Sequence, residues 1–244
     1  MHWYTPAVSL VRDSSRNLNL ILFSVESATP KPSMQVCSHL GRSITRLLSK
    51  CDNQLVLFPF SLIGFGILGW IASFGLTLER IKVAGDPTAL TSCDISPFIS
   101  CKSVMLSEQA ALFGFPNPLI GLAAFFAPVV VGFAILAGAK FKPWFWQLFV
   151  LGHTLAMVFV VWLFSQSVYD IGALCIYCMV AWSATIPLFW SSVGFTLKEG
   201  VFGEKLQRSG EVVFEWAWVI VILTYLALII PILIQFWDYW PSLL

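Results

Sequence analysis

Residues 55–78 decide the fold; they read LVLFPFSLIGFGILGWIASFGLTL and contain no charged side chain. A helix needs about 20 apolar residues to cross the hydrocarbon core of a bilayer, and this stretch is long enough. Continuous apolar runs favour helices over a membrane barrel, whose strands alternate in hydrophobicity. We therefore expect a transmembrane helix here.

Four further uncharged or nearly uncharged stretches follow this one. They cover residues 109–139 (with the helix beginning near Asn117), 143–169, 171–197 and 216–237. The chain of 244 residues is 58% hydrophobic and 11% charged, whereas soluble domains have about 25% charged residues. A net charge of +1 leaves no basic surface to neutralise the phosphates of a nucleic acid. The sequence predicts an all-α integral membrane protein with five spans.

Lysine and arginine are distributed unequally between the two sides of these spans. If the N-terminus is cytoplasmic, eleven of them fall in inner segments and three in outer segments, namely Arg80, Lys82 and Lys102. Positive charge is enriched on the cytoplasmic side of membrane proteins. We therefore expect a multi-pass protein of the cell (inner) membrane with a cytoplasmic N-terminus and an extracytoplasmic C-terminus.

The spans divide the chain into three predicted segments. Residues 1–54 are polar and Ser-rich without a sustained apolar period, which is typical of a disordered cytoplasmic tail. The alternative is a start at Met34, which would place a short basic leader directly before the first span. Residues 55–197 hold the first four spans, and residues 198–244 hold a cytoplasmic loop and the fifth span.

Four of the six cysteines fall on the predicted outer face. Cys93 and Cys101 lie between the first and second spans, and Cys175 and Cys178 begin the fourth. The outer side is oxidising, so disulfides form and persist there. Residues three apart share a helix face, and a helix N-terminus stabilises a thiolate, which favours the first cysteine of the C-x-x-C motif as a nucleophile.

Two neighbouring dithiols can pass two electrons through mixed-disulfide intermediates. The sequence has no glycine fingerprint for a dinucleotide and no histidine-rich haem site, and His153 is expected to be a hydrogen-bonded helix residue. A lipid-soluble quinone entering from the bilayer is the simplest electron acceptor. The alternatives are a zinc site built from the four outer cysteines and a structural disulfide, either of which would suit a non-enzymatic membrane scaffold. We assign no role to Cys37 and Cys51.

Three motifs together resemble the vitamin K epoxide reductase family, and in particular its bacterial branch. They are CDISPFISC at 93–101, GFPNPLIG at 114–121 and CIYC at 175–178, and the resemblance runs from about residue 55 to 190. It implies that residues 55–197 form a four-helix catalytic bundle around a quinone, with the fifth helix outside the family's core. It also implies a DsbB-like reaction, in which a thioredoxin-fold (DsbA-like) carrier is reoxidised outside the cytoplasm and the electrons pass to ubiquinone or menaquinone. Some bacterial relatives carry a fused thioredoxin-like domain; because this chain ends soon after its fifth span, we expect a separate carrier protein.

The resemblance also implies a role for each outer cysteine. Cys93 and Cys101 would form the loop shuttle that meets the reduced carrier. Cys101 would then form a transient mixed disulfide with Cys175, and Cys178 would deliver the electrons to the quinone. No metal is expected in this scheme.

Four further residues are predicted quinone contacts by the same resemblance. Ser107 matches a Ser/Thr position in the family's cap, with helix capping as the alternative interpretation. Asn117 matches a polar donor to a quinone carbonyl and could equally be the N-cap of the second span. Phe113 is a candidate neighbour of the quinone, although simple packing would also explain it. Trp182 stands where vertebrate relatives carry a tyrosine that meets the vitamin; this argues against vitamin K epoxide reduction, the remaining alternative, and leaves quinone reduction unaffected.

Overall fold

Helices account for nearly all of the regular structure in a computed structural model that describes residues 44–86, 88–96 and 98–237, with side chains from residue 57 onward. Seven α-helices lie in these ranges: α1 Ile44–Gly85, α2 Cys101–Leu106, α3 Pro118–Leu136, α4 Pro143–Ser165, α5 Ile176–Lys198, α6 Glu204–Glu215 and α7 Ala217–Gln235. A 3₁₀ turn follows α2 at Glu108–Ala111, and a π-helical turn extends α4 over Gln166–Ile171. Within the described ranges no β-strand is formed, and the protein is all-α as predicted.

Five of the helical segments are long and apolar enough to cross a membrane, which confirms the predicted number of spans. They are Leu57–Gly85, Pro118–Leu136, Pro143–Ile171, Ile176–Lys198 and Ala217–Gln235. The fourth span begins five residues later than predicted. Gly172 ends the preceding turn with a φ of 66°, a left-handed conformation that glycine adopts without steric cost, and residues 173–175 are extended or bridged rather than helical.

The N-terminal boundary also differs from the predicted one. Helix α1 begins at Ile44, so the predicted end of the tail at residue 54 lies inside a helix. The prediction of disorder for residues 1–43, the possible start at Met34 and Cys37 lie outside the described residues. Cys51 belongs to α1, but its side chain is not among those described.

Helix α5 lies at the centre of the bundle, where it contacts α1, α4, α6 and α7, while α1 also packs closely against α3. A β-carbon at Gly132 of α3 would lie 2.9 Å from the carbonyl oxygen of Pro59, so only glycine permits this approach of α3 to α1. Many apolar side chains are exposed, for example Leu57, Ile71 and Leu155 at 57–66%, as expected for helices surrounded by lipid.

The two ends of the bundle differ in composition. The aromatic end is the cluster around Phe58, Trp146, Leu188 and Phe195, in which the rings of Phe58 and Phe195 stack with centroids 4.1 Å apart. The cysteine end holds the start of α5 together with the loop between α1 and α2. Along α5, Leu188 and Phe195 of the aromatic end follow Ile176 by 12 and 19 residues, which corresponds to about 18 and 29 Å along a helix.

The fifth span is attached to the bundle through α5. The hydroxyl of Tyr225 donates to the carbonyl oxygen of Ser183 at 2.5 Å, and this carbonyl has lost its usual helical partner because Pro187 has no N–H group. Trp190 Nε1 also donates to Thr224 Oγ1 at 3.1 Å. These polar contacts fix the position of α7 on α5.

Candidate active site

The loop between α1 and α2 is joined to the segment that precedes α5. The backbone N–H of Leu174 donates to the carbonyl oxygen of Phe98 at 2.7 Å, and the N–H of Ser100 donates to the carbonyl oxygen of Leu174 at 3.0 Å. These two bonds form a short parallel bridge at Ile99. The loop is therefore held beside the residue that immediately precedes Cys175.

Asp94 ties the two ends of this loop together. Its carboxylate accepts hydrogen bonds from Thr91 Oγ1 at 2.5 Å, Ser100 Oγ at 2.8 Å and the backbone N–H of Lys102 at 3.2 Å. Burial raises the pKa of Asp94, but these donors outweigh burial and hold that pKa below its ordinary value. Asp94 is therefore an anion that stabilises the closed loop.

Three sulfur atoms meet inside the closed loop. Cys93 and Cys101 form a disulfide, and the thiol of Cys175 donates to the sulfur of Cys101 with a separation of 3.0 Å. Cys101 and Cys175 are fully buried and Cys93 is 3% exposed. The structure thus brings together the two pairs that the sequence placed on one face, with the pairing in the loop that the resemblance implies.

The short distances between these sulfur atoms are also relevant to the alternative of a zinc site. The sulfur atoms of Cys93, Cys101 and Cys175 all lie within 4.8 Å of one another, a spacing that a metal site would also need. In this structure, however, Cys93 and Cys101 are bonded to each other. The arrangement is therefore that of one disulfide with a third sulfur beside it.

The environment of Cys175 favours its thiolate. A hydrogen bond from the thiol of Cys178 is the largest influence and lowers the pKa of Cys175, and the backbone N–H groups of Cys178 and Tyr177 add to it. Burial and the negative charge of Asp94 act in the opposite direction, and the pKa remains below the ordinary value. Because the thiolate is the nucleophile in disulfide exchange, the lowered pKa makes Cys175 more reactive than an ordinary thiol.

A cavity of about 170 Å³ adjoins the cysteine end between α1, α3, α4 and α5. Cys178 lines this cavity and so connects the sulfur cluster with it. The wall is mainly apolar and includes Ala72, Leu76, Ile120, Ala124, Phe159 and Val160. The cavity therefore suits an apolar ring held beside a thiol.

Two of the four predicted quinone contacts lie on this cavity. Asn117 Nδ2 donates to the carbonyl oxygen of Gln109 at 2.7 Å, and its Oδ1 accepts from the backbone N–H of Leu112 at 3.3 Å. Asn117 occupies the N-cap position of α3 but makes no capping hydrogen bond with its side chain. Trp182 also lines the cavity and packs edge-on against Phe164, with ring centroids 5.3 Å apart.

The other two predicted contacts lie away from the cavity. Ser107 ends α2, and its hydroxyl donates to the carbonyl oxygen of Val104 at 2.8 Å. Phe113 is 59% exposed, and its ring contacts Phe115 and Phe159. Neither side chain is among those that line the cavity.

The sequence alone did not identify several residues that shape the site. Arg80 lines the cavity and its guanidinium donates to the carbonyl oxygen of Met105. His153 also lines the cavity and, as expected of a helix residue, its Nδ1 donates to the carbonyl oxygen of Phe149 at 2.8 Å. For His153, the feature of the sequence that could have indicated this position is a single histidine within an otherwise uncharged span.

Comparison with known proteins identifies one family. A sequence model described as the vitamin K epoxide reductase family matches residues 60–193, which is more than half of the chain and includes all four cysteines of the site. No curated protein is similar enough to the chain to count as a match.

Proposed function

Because the chain belongs to the vitamin K epoxide reductase family, whose members are oxidoreductases with cysteine redox centres, we propose that it is a quinone-dependent thiol oxidoreductase. In this proposal it reoxidises a separate thioredoxin-fold, DsbA-like carrier outside the cytoplasm, as DsbB-like members of the bacterial branch do. Electrons enter at Cys93 and Cys101, pass to Cys175 and Cys178, and leave to menaquinone or ubiquinone in the membrane. The contact of 3.0 Å between the sulfurs of Cys101 and Cys175 is the observation that supports this path most strongly.

The proposed exchange begins once the carrier has reduced the loop pair. The thiolate of Cys101 attacks the sulfur of Cys175 in a Cys175–Cys178 disulfide; the Cys101–Cys175 bond forms, and the electron pair of the broken bond leaves on Cys178. Cys93 then attacks Cys101, which re-forms the loop disulfide and releases Cys175 as a thiolate. The end state has an oxidised loop and a reduced C-x-x-C pair, which is the state seen here.

The cavity residues fit a quinone at the end of this path. A bound quinone would accept two electrons and two protons as Cys175 and Cys178 return to the disulfide. Cys178 would face the ring and Trp182 would form part of its wall. The side-chain nitrogen of asparagine has two hydrogens that it can donate. In Asn117 one of them is donated to the carbonyl oxygen of Gln109. We propose that the other is donated to a quinone carbonyl and stabilises the negative charge that develops there.

Entry of electrons requires the loop to open. Cys93 is 3% exposed, so a carrier thiolate cannot reach its sulfur in the closed arrangement. We propose that the segment around Ile95, which is 66% exposed, lifts to admit the carrier. In the proposed orientation the N-terminus is cytoplasmic and the cysteine end faces outward, where the carrier is located.

A Cys178→Ala variant tests the proposed activity. The purified variant should no longer reduce a water-soluble ubiquinone or menaquinone analogue when a reduced thioredoxin-fold carrier is the donor, because the last sulfur of the path is missing. Replacement of both Cys37 and Cys51 by alanine is the matched control, and this double variant should keep its activity. Undiminished turnover in Cys178→Ala would contradict the proposal.

Two rival functions predict different results with the same protein. A vitamin K epoxide reductase would convert the epoxide in a direct assay, whereas we expect little conversion because Trp182 occupies the position of the tyrosine in vertebrate relatives. A structural zinc scaffold would contain zinc by elemental analysis and would form no mixed disulfide with a carrier.

A further inference from the structure

We propose that the fifth span positions the redox loop and that Phe236, next to the end of α7, is the positioning residue for exchange between Cys101 and Cys175. The inference rests on the proposed function, because it concerns the exchange step of that reaction. Phe236 is only 2% exposed, whereas none of residues 217–235 in α7 is buried. About half of the residues of α7 are half-buried against the bundle, and the fully buried Phe236 follows directly after them, where the span reaches the loop.

Phe236 packs against the middle of the disulfide-bonded loop. Its ring lies 5.8 Å from the ring of Phe98, measured between centroids. Phe98 is 3% exposed and lies between Cys93 and Cys101 in the chain. Both rings belong to one apolar cluster, which also contains Val160, Phe164, Val168, Leu174 and Trp182, and Leu228 and Ile232 of α7 pack against it.

The backbone at Phe98 determines how close the sulfur atoms lie. The carbonyl oxygen of Phe98 accepts from the N–H of Leu174 at 2.7 Å, and Leu174 is followed directly by Cys175. A displacement of Phe98 would stretch this bond and move Cys101 relative to Cys175. The packing of Phe236 therefore acts on the sulfur separation through two residues, Phe98 and Leu174.

The fifth span is suited to this role because it is fixed to the helix that presents Cys178. Tyr225 and Thr224 of α7 make hydrogen bonds with Ser183 and Trp190 of α5. Cys178 belongs to the first turn of the same α5. Helix α5 thereby positions the C-x-x-C pair directly, and it positions the cysteine pair of the loop through α7.

Disulfide exchange is sensitive to such positioning. The attacking thiolate must approach the disulfide sulfur closely and in line, and a displacement of about 1 Å can reduce the rate of a positioned reaction by up to roughly 100-fold. Truncation of Phe236 removes the packing but deletes none of the reacting atoms. We expect a rate loss of roughly tenfold in the exchange step, with little change in the affinity for the carrier.

The experiment uses full-length protein in which Cys37, Cys51, Cys93 and Cys178 are replaced by alanine, so that Cys101 and Cys175 are the two remaining thiols. Diamide takes up their two electrons and protons, and the rate of disulfide formation is followed by quenching with an alkylating agent and mass analysis. Phe236→Ala should slow the reaction roughly tenfold, and Phe236→Leu should give an intermediate rate. The neighbouring Trp237, which is 71% exposed, provides the control: Trp237→Ala should react as fast as the parent.

Double substitution separates positioning from general destabilisation. Phe98→Ala should slow the cross-linking as Phe236→Ala does. The double variant should be little slower than either single variant, because each substitution removes the same contact between the two rings. Additive losses, or equal rates for Phe236→Ala and its parent, would overturn the proposal. If Phe236→Ala fails to assemble, the leucine variant decides, and a rate equal to the parent's would count against Phe236.

The cross-linking rate requires neither quinone nor carrier, so the two proposals can fail separately. Absence of quinone reduction by the unmodified protein would contradict the proposed function whatever the cross-linking shows. In the unmodified background Phe236→Ala should lower kcat with KM for the carrier nearly unchanged. A rise in KM alone would place Phe236 in carrier binding and would overturn its role in exchange.

Discussion

At the cysteine end of α5 the side chains are held by hydrogen bonds and a disulfide, whereas at the aromatic end they are held by ring packing. Cys175 is placed by the loop bridge at Leu174 and lies 3.0 Å from the sulfur of Cys101. At the other end, the buried hydroxyls of Ser192 and Thr196 have no hydrogen-bond partner among the described residues. The difference indicates that directional contacts are concentrated where we propose that exchange takes place.

This comparison predicts that substitutions at the two ends affect different properties. Hydrogen bonds are directional and fix atoms to within tenths of an ångström, while apolar packing tolerates changes of shape at the expense of stability. Substitutions at the cysteine end should therefore change turnover more than melting temperature. Substitutions at the aromatic end should do the reverse.

The largest effect is expected from Cys175→Ser. The hydroxyl has nearly the same size as the thiol but cannot form or exchange a disulfide. Carrier-dependent quinone reduction should fall below detection, while the melting temperature in detergent should change by only a few degrees. Measurable turnover in this variant would contradict the role of Cys175 in the electron path.

The next effect is a loss of stability at the aromatic end. Trp146 is 8% exposed, and its ring lies 4.9 Å from that of Phe195. Trp146→Ala should lower the free energy of unfolding by roughly 3 kcal/mol, the lower end of the range for buried aromatic truncations, because the surrounding lipid is itself apolar. Turnover per folded molecule should remain close to that of the unmodified protein, and a tenfold loss would contradict the comparison.

A smaller loss of stability is expected where α6 meets α5. A β-carbon at Gly210 would lie 2.4 Å from the backbone carbonyl carbon of Leu197, so Gly210→Ala forces the two helices apart. We expect a cost of about 1–3 kcal/mol in the free energy of unfolding. Gly152→Ala in α4 is the matched control, because nothing lies within 4 Å of its added methyl group, and the control should be neutral or slightly stabilising.

The smallest effect is an acid-induced opening of the loop. The hydrogen bonds lower the pKa of Asp94. The stabilisation that its carboxylate gives to the closed loop is therefore complete above the ordinary carboxyl pKa of about 3.9. This stabilisation is lost as the pH falls through the lower pKa of Asp94 in the folded protein. Reduction of the Cys93–Cys101 disulfide by a water-soluble phosphine should therefore be slow at pH 5–7 and faster below about pH 4. Asp94→Asn should react rapidly across this range, and a pH-dependent rate that is the same in both proteins would exclude Asp94 as the cause.

Much of this architecture could be predicted from the sequence, because it depends on local composition. Uncharged runs of about 20 residues predict spans, and span parity places Cys93, Cys101, Cys175 and Cys178 at one end. The positions of Asn117 and Trp182 on the cavity were expected from the resemblance. These features need no knowledge of which helices touch.

Other features depend on contacts between distant segments, and the sequence could not show them. Whether Ser107 and Phe113 reach the cavity depends on where the segment after α2 lies relative to the helices that form the cavity, and in the structure neither side chain lines it. The contact of Phe236 with Phe98 joins residues 138 positions apart in the chain. No local pattern distinguishes Phe236 from the other phenylalanines of an aromatic membrane protein.

The identity of the disulfide that accumulates in a Cys93→Ala variant tests the electron path most directly. Without Cys93 the mixed disulfide between Cys101 and Cys175 cannot go on to the loop disulfide and can only revert by attack of Cys178 on Cys175. Acid quenching, alkylation and peptide mapping of the protein in its native membrane should therefore find molecules in which Cys101 and Cys175 are joined and Cys178 is alkylated. Recovery of Cys101 as a free thiol together with a Cys175–Cys178 disulfide in every molecule would contradict the proposed transfer between the two pairs.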